Sequence, residues 1–280
     1  MKILDGKKLA RVSEKKLKKE TSIFIKKTGI LPGLGILLVG DDPASKLYVS
    51  LKKKKAQELG FFCEVVVLSK RASQKKVIAA LEKLQAQKNI HGGIVQLPLP
   101  CHLTSDEILK QLDVKKDIDC LHPYNLARLF SGKKLQYAPP TAESVIRLIQ
   151  FSKKKIRNTP IAVVARGFFG RQIAALCRMY GGNVLQTNSE AKDFLEIVRR
   201  ADIVIAAIGK PRCITGEMIK KGATVIDVGT SEENGRVVGD VDFKTVSKKA
   251  SAMTPVPGGV GPLTVALLMK NVFNAAQNSR

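Results

Sequence analysis

The sequence predicts an α/β fold made of two α/β lobes with parallel strands. Three observations carry this. Short apolar runs such as GLGILLVG (33–40) and IAVVA (161–165) alternate with amphipathic stretches, and a Pro139-Pro140 step separates two such series. Hydrophobic residues are 44% of the 280 and charged residues 26%, enough apolar side chains for a core and unlike disordered or collagen-like compositions.

In the first series, a charged helix over residues 6–28 ends near Gly29, and 33–40 reads as a buried strand. Asp41-Asp42-Pro43 is a helix start, with an acidic cap and a proline in the first turn; the helix stops at Gly60. FCEVVVL (62–68) is the next strand, 73–88 a helix and GGIVQL (92–97) a third strand. Residues 98–137 mix a short helix near 104–111 with turn-rich sequence, and 141–151 is a connecting helix. In the second series, strands over 161–165, 184–187, 202–208 and 223–229 are expected, with a helix over about 170–180. A Pro/Gly loop then precedes an apolar helix from about Leu263. This divides the chain into 1–138 plus 263–280, and 139–262.

Charge is the compositional oddity: 48 Lys+Arg against 24 Asp+Glu, a formal net charge of +24. Residues 1–140 hold 27 basic and 13 acidic side chains and residues 141–280 hold 21 and 11, so no basic tail exists. Lysine outnumbers arginine 35 to 13, tryptophan is absent, and base-reading forks favour arginine. No nucleic-acid partner is expected; the positive field suits anionic small molecules. Five cysteines without C-x-x-C and three histidines without H-x-x-x-H spacing point to no metal site and no disulfide framework. No apolar run approaches the ~18 residues of a membrane span, and MKILDGKKLA lacks a signal-peptide core, so a soluble cytoplasmic protein is expected.

Five strings carry chemistry. Tyr48 and Lys52 are four apart, on one face of the helix after Asp42. A lysine desolvated beside a phenol shuttles protons near neutral pH, although the same spacing also serves a packed ring and a snorkelling stem. Gln96, in IVQLPLP (94–100), stands at the carboxyl end of a parallel strand, where open α/β sheets place ligands. Its prolines stiffen the loop, and one is a candidate for the cis form. KKDIDCLHPYN (115–125) offers aspartates that either accept from an amidine-like edge or cap neighbouring backbone. VVARGFFGRQ (163–172) is a strand–turn–helix with Gly167, Gly170 and two arginines but no G-x-G-x-x-G; a helix start there attracts phosphate. TPVPGGVGPLT (254–264) is dense in Pro and Gly, as in loops that approach a ligand.

Taken together, VGDDPASKLYVSLK (39–52), HGGIVQLPLP (91–100), KDIDCLHPYN (116–125), VVGDVDF (237–243) and TPVPGGVGPLTVALLM (254–269) resemble, in order and spacing, the bifunctional methylenetetrahydrofolate dehydrogenase/methenyltetrahydrofolate cyclohydrolase family. The resemblance covers essentially the whole chain. It implies a homodimer whose second lobe is a Rossmann-like dinucleotide-binding domain, with a folate cleft between the lobes. It implies Lys52 as catalytic acid/base with Tyr48 and Gln96 as partners. Asp119 would hold the pterin, and Pro257, Gly258 and Gly259 would line the folate site. NADP, with NAD as an alternative, would be held by Thr141, Arg166, Gly167, Ser189 and Thr264.

Departures from the family pattern cluster at the cofactor turn. The usual G-R-S-x-x-V-G-x-P is here Ala165-Arg166-Gly167-Phe168-Phe169-Gly170-Arg171-Gln172, one residue shorter. A usual C-H-S is Thr187-Asn188-Ser189, and Cys120 and Ala127 replace glycines of the pterin loop. Two alternatives therefore stand beside the bifunctional enzyme: a protein acting mainly as a cyclohydrolase, and a non-catalytic folate-binding paralogue with an eroded NADP site.

Overall fold

The computed structural model describes residues 1–233 and 235–279. Internal contacts divide the chain into two compact units, Arg11–Pro139 with Val265–Arg280 and Met1–Ala10 with Pro140–Thr264. Residues 1–10 thus go with the second unit, where the sequence reading put them with the first. The reason is strand pairing: Lys2 and Ile3 lie parallel to Ala252 and Met253, and the Leu4 amide donates to Met253 O at 2.8 Å.

The chain begins with β1 (Lys2–Ile3), α1 (Gly6–Thr28), β2 (Gly33–Val39), α2 (Pro43–Glu58), β3 (Phe62–Leu68), α3 (Gln74–Gln85) and β4 (Gly92–Val95). All seven residues of β2 are buried, as the central strand of a parallel sheet ordered β3-β2-β4 requires. Leu34, Ile36 and Leu38 pack with Leu17 and Phe24 of α1 and Val49 and Ala56 of α2. A Cβ on Gly35 would meet Leu84 of α3 and Ile90, so the α3 side of β2 is also closed. A Cβ on Gly33 would fall 1.7 Å from Asn89 O, and its amide donates to His91 Nδ1 at 3.0 Å. His91 is therefore a satisfied core histidine.

The start of α2 follows the expected cap: Asp42 accepts from Ser45 N at 2.8 Å, with Pro43 in the first turn. Its end is marked by Gly60 at φ +77°. Two short helices follow β4, α4 (Ser105–Leu109) and α5 (Pro123–Phe130). The sequence alone predicts turn-rich chain where α5 stands. Its eight residues are started by Pro123 and by His122, whose Nδ1 accepts from Tyr124 N at 3.0 Å, a cap that leaves little periodic signal.

The second series runs α6 (Pro140–Phe151), β5 (Pro160–Ala165), α7 (Phe168–Met179), β6 (Asn183–Thr187), α8 (Phe194–Arg200), β7 (Ile203–Ala207) and β8 (Thr224–Asp227). A hairpin of β9 (Ser231–Glu233) and β10 (Arg236–Val238) precedes α9 (Phe243–Val246), β11 (Ala252–Met253) and α10 (Val260–Asn278). The large sheet is parallel throughout, in the order β6-β5-β7-β8-β11-β1. Ala162, Val164, Val204, Ala206 and Val225 share a core with Phe194 and Val198 of α8. The hairpin and the two-residue strands β1 and β11 are not predicted from the sequence, because strands this short carry no period.

Two buried carboxylates tie the loops above this sheet. Asp227 Oδ1 accepts from Gly229 N at 3.0 Å and Asp240 N at 3.1 Å, and its Oδ2 from Val241 N at 3.0 Å. Asp240 Oδ2 accepts from Ile208 N at 2.5 Å and Gly209 N at 3.0 Å. Burial pushes Asp227 up to about 7; the backbone donors oppose this, and the neighbouring Asp240 adds to it. A carboxyl raised above its unfolded value favours the fold when protonated. That stabilisation is complete below pH ~4 and is lost as pH rises through about 7. Asp227→Asn should remove this slope. Relative to the variant, wild type should lose about 2 kcal/mol between pH 5 and pH 7. Urea unfolding of both proteins at the two pH values checks this.

Candidate functional site

Each unit carries a chemical centre at the carboxyl ends of its parallel strands. In the three-stranded sheet, β2 has β3 on one side and β4 on the other, so the connections diverge there and leave a crevice between them. The chain leaves β2 into α2, which carries Lys52, and leaves β4 directly at Gln96. Lys52 Nζ donates to Gln96 Oε1 at 2.9 Å, and Gln96 Nε2 donates to Leu97 O at 2.7 Å. The second bond settles the first: with the amide nitrogen committed to Leu97 O, only the oxygen can face the lysine. Leu97-Pro98 is cis.

Burial lowers the pKa of Lys52, and the negative charge of Asp119 opposes that shift. Burial raises Asp119, the lysine pulls it down, and Asp117 pushes it further up. Both side chains are only half-buried by surface, so the amine is desolvated and still reachable. An amine whose neutral form is favoured, positioned by one acceptor and balanced by one carboxylate, can take a proton from water and return it. Tyr48 lies one turn before Lys52 and is 36% exposed. Its hydroxyl makes no hydrogen bond among the described residues, so the structure brings Lys52, Gln96 and Asp119 together and leaves Tyr48 at the edge.

The loop bearing Asp119 is built by its neighbour. Asp117, 1% exposed, accepts from Leu121 N and His122 N at 2.9 Å each and from Asn125 Nδ2 at 2.8 Å. Next to it, Gly93 N donates to Lys116 O at 2.8 Å, aligning this segment with β4. Asn271 of α10 donates to Ile118 O at 2.9 Å and Ala138 O at 3.0 Å. Of the two aspartates in the motif, Asp117 caps backbone and Asp119 is left for the lysine. Cys120 takes φ +57°, which explains why glycine suits that position in the family pattern.

In the six-stranded sheet, β5 lies between β6 and β7, and its carboxyl end is again a divergence point. The β5–α7 turn consists of Arg166 and Gly167. Gly167 has φ +81°, with open space where a Cβ would stand. Gly170 packs directly on Ala165, a Cβ there falling 2.2 Å from the Ala165 methyl. The first amides of α7 have no acceptor within the helix and face the turn, as phosphate binding requires. At the end of β6, Ser189 Oγ is buried without a hydrogen-bond partner among the described residues. Beside it Glu190 pairs with both Arg166 and Lys210. An open glycine turn, a helix start, an orphaned hydroxyl and two cations fit a dinucleotide's phosphates and ribose. Lys210 and Glu190 escaped the sequence reading, since only the strand order brings residues 166, 190 and 210 together.

The remaining sequence-derived positions lie in the same unit. Thr264 Oγ1 is 3.2 Å from Ser144 Oγ and donates to Val260 O at 3.1 Å, while Thr141 is half-buried at the start of α6. Pro257 is exposed and follows a cis bond; Gly258, at φ +118°, accepts from Lys7 N at 3.1 Å. Gly259 O closes on Gly6, where a Cβ would stand 1.7 Å away. Close packing against the N-terminal segment thus accounts for part of this loop's glycine content. Among the described residues, no group of three or more His, Cys, Asp or Glu could hold a metal ion, and no helix is long and apolar enough to cross a membrane.

These features define a class: a doubly wound nucleotide-binding α/β unit covalently joined to a lysine-centred α/β unit. Comparison with known proteins makes the class specific. Residues 4–119 match the tetrahydrofolate dehydrogenase/cyclohydrolase catalytic domain and residues 139–280 its NAD(P)-binding domain. The Bifunctional protein FolD of Nautilia profundicola is 43% identical over 280 residues, covering 99% of this chain and 98% of that protein. The crystal structure of the Campylobacter jejuni bifunctional enzyme FolD, a methylenetetrahydrofolate dehydrogenase/cyclohydrolase, superposes with a TM-score of 0.95 at 37% identity, covering 99% of each chain. A Trypanosoma brucei methylenetetrahydrofolate dehydrogenase-cyclohydrolase complexed with NADP and an inhibitor gives a TM-score of 0.95 at 36% identity, covering 99% of this chain and 97% of that one. The chain belongs to the tetrahydrofolate dehydrogenase/cyclohydrolase family.

Proposed function

We propose that this protein oxidises 5,10-methylenetetrahydrofolate to 5,10-methenyltetrahydrofolate and hydrolyses the product to 10-formyltetrahydrofolate. The observation that carries this reading is the Lys52–Gln96–Asp119 arrangement within a chain that matches both family domains. It favours the full enzyme over a non-catalytic folate binder, because a desolvated lysine held by a fixed amide is more than binding needs. NADP, when bound, accepts the hydride from the one-carbon bridge; Arg166, Gly167, Ser189, Thr141 and Thr264 are the residues proposed to hold it. NAD is the alternative acceptor.

Loss of hydride leaves a cation delocalised over N5, the bridging carbon and N10 of the folate. A permanent ammonium beside it would be repelled, whereas Lys52, lowered by burial, tolerates the charge in its neutral form. The neutral amine takes a proton from the water that adds to the bridging carbon. The resulting ammonium returns that proton to N5 as the C–N5 bond breaks, and the hydroxyl left on the bridging carbon gives its own proton to solvent and becomes the carbonyl of the N10-formyl product. Gln96 Oε1 keeps Nζ aligned through both transfers. Asp119 is proposed to accept from the pterin edge, with Pro257, Gly258 and Gly259 contributing to folate binding and Tyr48 closing on the bound ring. A homodimer and a cytoplasmic location belong to the same reading and rest on the family resemblance alone.

Two separate assays test it. Supplied methenyltetrahydrofolate should lose its characteristic absorbance faster than in buffer alone. Supplied methylenetetrahydrofolate should gain that absorbance only when NADP or NAD is present. Hydrolysis without any cofactor-dependent oxidation would leave a cyclohydrolase alone; neither reaction would overturn the assignment.

A further inference from the structure

The Arg166–Glu190–Lys210 cluster departs from what an NADP site requires. A 2′-phosphate brings about two negative charges and is held by guanidinium or ammonium groups. In this chain the two cations best placed for it, Arg166 at the end of β5 and Lys210 just beyond β7, converge on one oxygen of Glu190. Arg166 Nη2 contacts Glu190 Oε1, and Lys210 Nζ is 3.5 Å from the same atom. All three side chains remain accessible, with Glu190 65% exposed. Arg166 and Lys210 depress the carboxyl of Glu190 below its usual range, so it stays ionised at neutral pH. Glu190 also lies 23 positions after Gly167 and three beyond β6, close to where an acidic side chain in such folds accepts from a free ribose 2′-hydroxyl.

We propose that Glu190 is a specificity-determining residue that shifts this protein from NADP toward NAD by competing with the 2′-phosphate for Arg166 and Lys210. Three consequences follow from the geometry. With the 2′-phosphate absent, Glu190 accepts from the ribose hydroxyl and the ion pairs persist. With the 2′-phosphate present, the carboxylate must leave both cations, and its charge opposes the incoming one. Removing the carboxylate leaves two unpaired cations facing the phosphate. The inference rests on the dinucleotide reading of this unit and goes beyond it by assigning a selectivity.

Calorimetric titration of the full-length protein with NADP and with NAD, without folate, tests the proposal. Glu190→Gln should tighten NADP about five- to tenfold and leave NAD unchanged or up to about threefold weaker, while Glu190→Asp should keep the wild-type ratio. Adding Arg166→Gln to Glu190→Gln should abolish the gain for NADP. The NADP gain should shrink as salt rises from about 50 to 300 mM, because the groups are exposed. An unchanged NADP/NAD affinity ratio in Glu190→Gln, or an equal change for both cofactors, overturns the inference while sparing the dinucleotide reading. Wild type binding neither cofactor overturns both.

Discussion

Lys52→Met should abolish cyclohydrolase turnover, a fall of about 10³-fold or more, while the protein remains folded and still binds folate. Methionine keeps the length and the apolar stem but removes the amine, whose proton burial makes easier to release. The loss should fall on kcat with KM nearly unchanged, because the amine acts on water and N5 rather than on the distal parts of the substrate. Folding should survive: among the described residues Lys52 Nζ has one hydrogen bond, to Gln96, and burial already disfavours its charge. Rate measurements on supplied methenyltetrahydrofolate, beside a circular dichroism spectrum, decide the matter. Turnover within tenfold of wild type would remove Lys52 from its role.

Asp117→Ala should be the most damaging single change to stability near the site. The carboxylate satisfies two backbone amides and one side-chain amide, all in a buried loop. Alanine leaves two backbone amides without acceptors and Asn125 Nδ2 with only Val114 O, a cost of about 3–5 kcal/mol. Asp117→Asn should cost about half as much, since one oxygen still accepts while the new NH₂ group opposes a donor. Because Asp119 lies two residues further on, both variants should also weaken folate binding before the protein unfolds. Urea midpoints, with folate titration at low denaturant, separate the two effects. Destabilisation below about 1 kcal/mol for the alanine variant would mean that water replaces the carboxylate, and Asp117 would no longer be the loop's organiser.

Much of this architecture was legible in the residues. β2 announces itself as an unbroken apolar run because it is buried on both faces, and α2 announces its start through an acidic cap and proline. Gln96 stood out near the carboxyl end of a parallel strand, whereas the spacing of Lys52 to Tyr48 suited a packed ring equally well and only the family resemblance singled the lysine out. What the sequence left open is instructive. In DID (117–119), either aspartate could have faced a ligand; only the hydrogen bonds of Asp117 to Leu121, His122 and Asn125 separate the capping residue from the free one. The Arg166–Glu190–Lys210 cluster gathers residues 24 and 20 positions apart, and no local period relates them. β1 was invisible for a similar reason, since two residues show no alternation and their partner lies some 250 positions away. α5 was hidden by its brevity.

The excess of positive charge takes on a definite place in this account. Basic residues are in excess in both halves of the chain, whereas the cluster at the end of β5 holds an acid, Glu190, between Arg166 and Lys210.

The central claim is that one chain performs both steps in sequence. The most direct measurement follows reduced nicotinamide and 10-formyltetrahydrofolate together by chromatography after mixing the protein with 5,10-methylenetetrahydrofolate and NADP, with NAD in parallel. The account predicts that both products accumulate, the formyl product at a rate above that of methenyltetrahydrofolate hydrolysing without protein. No reduced nicotinamide with either cofactor, or formyl product appearing only at the protein-free rate, would contradict it.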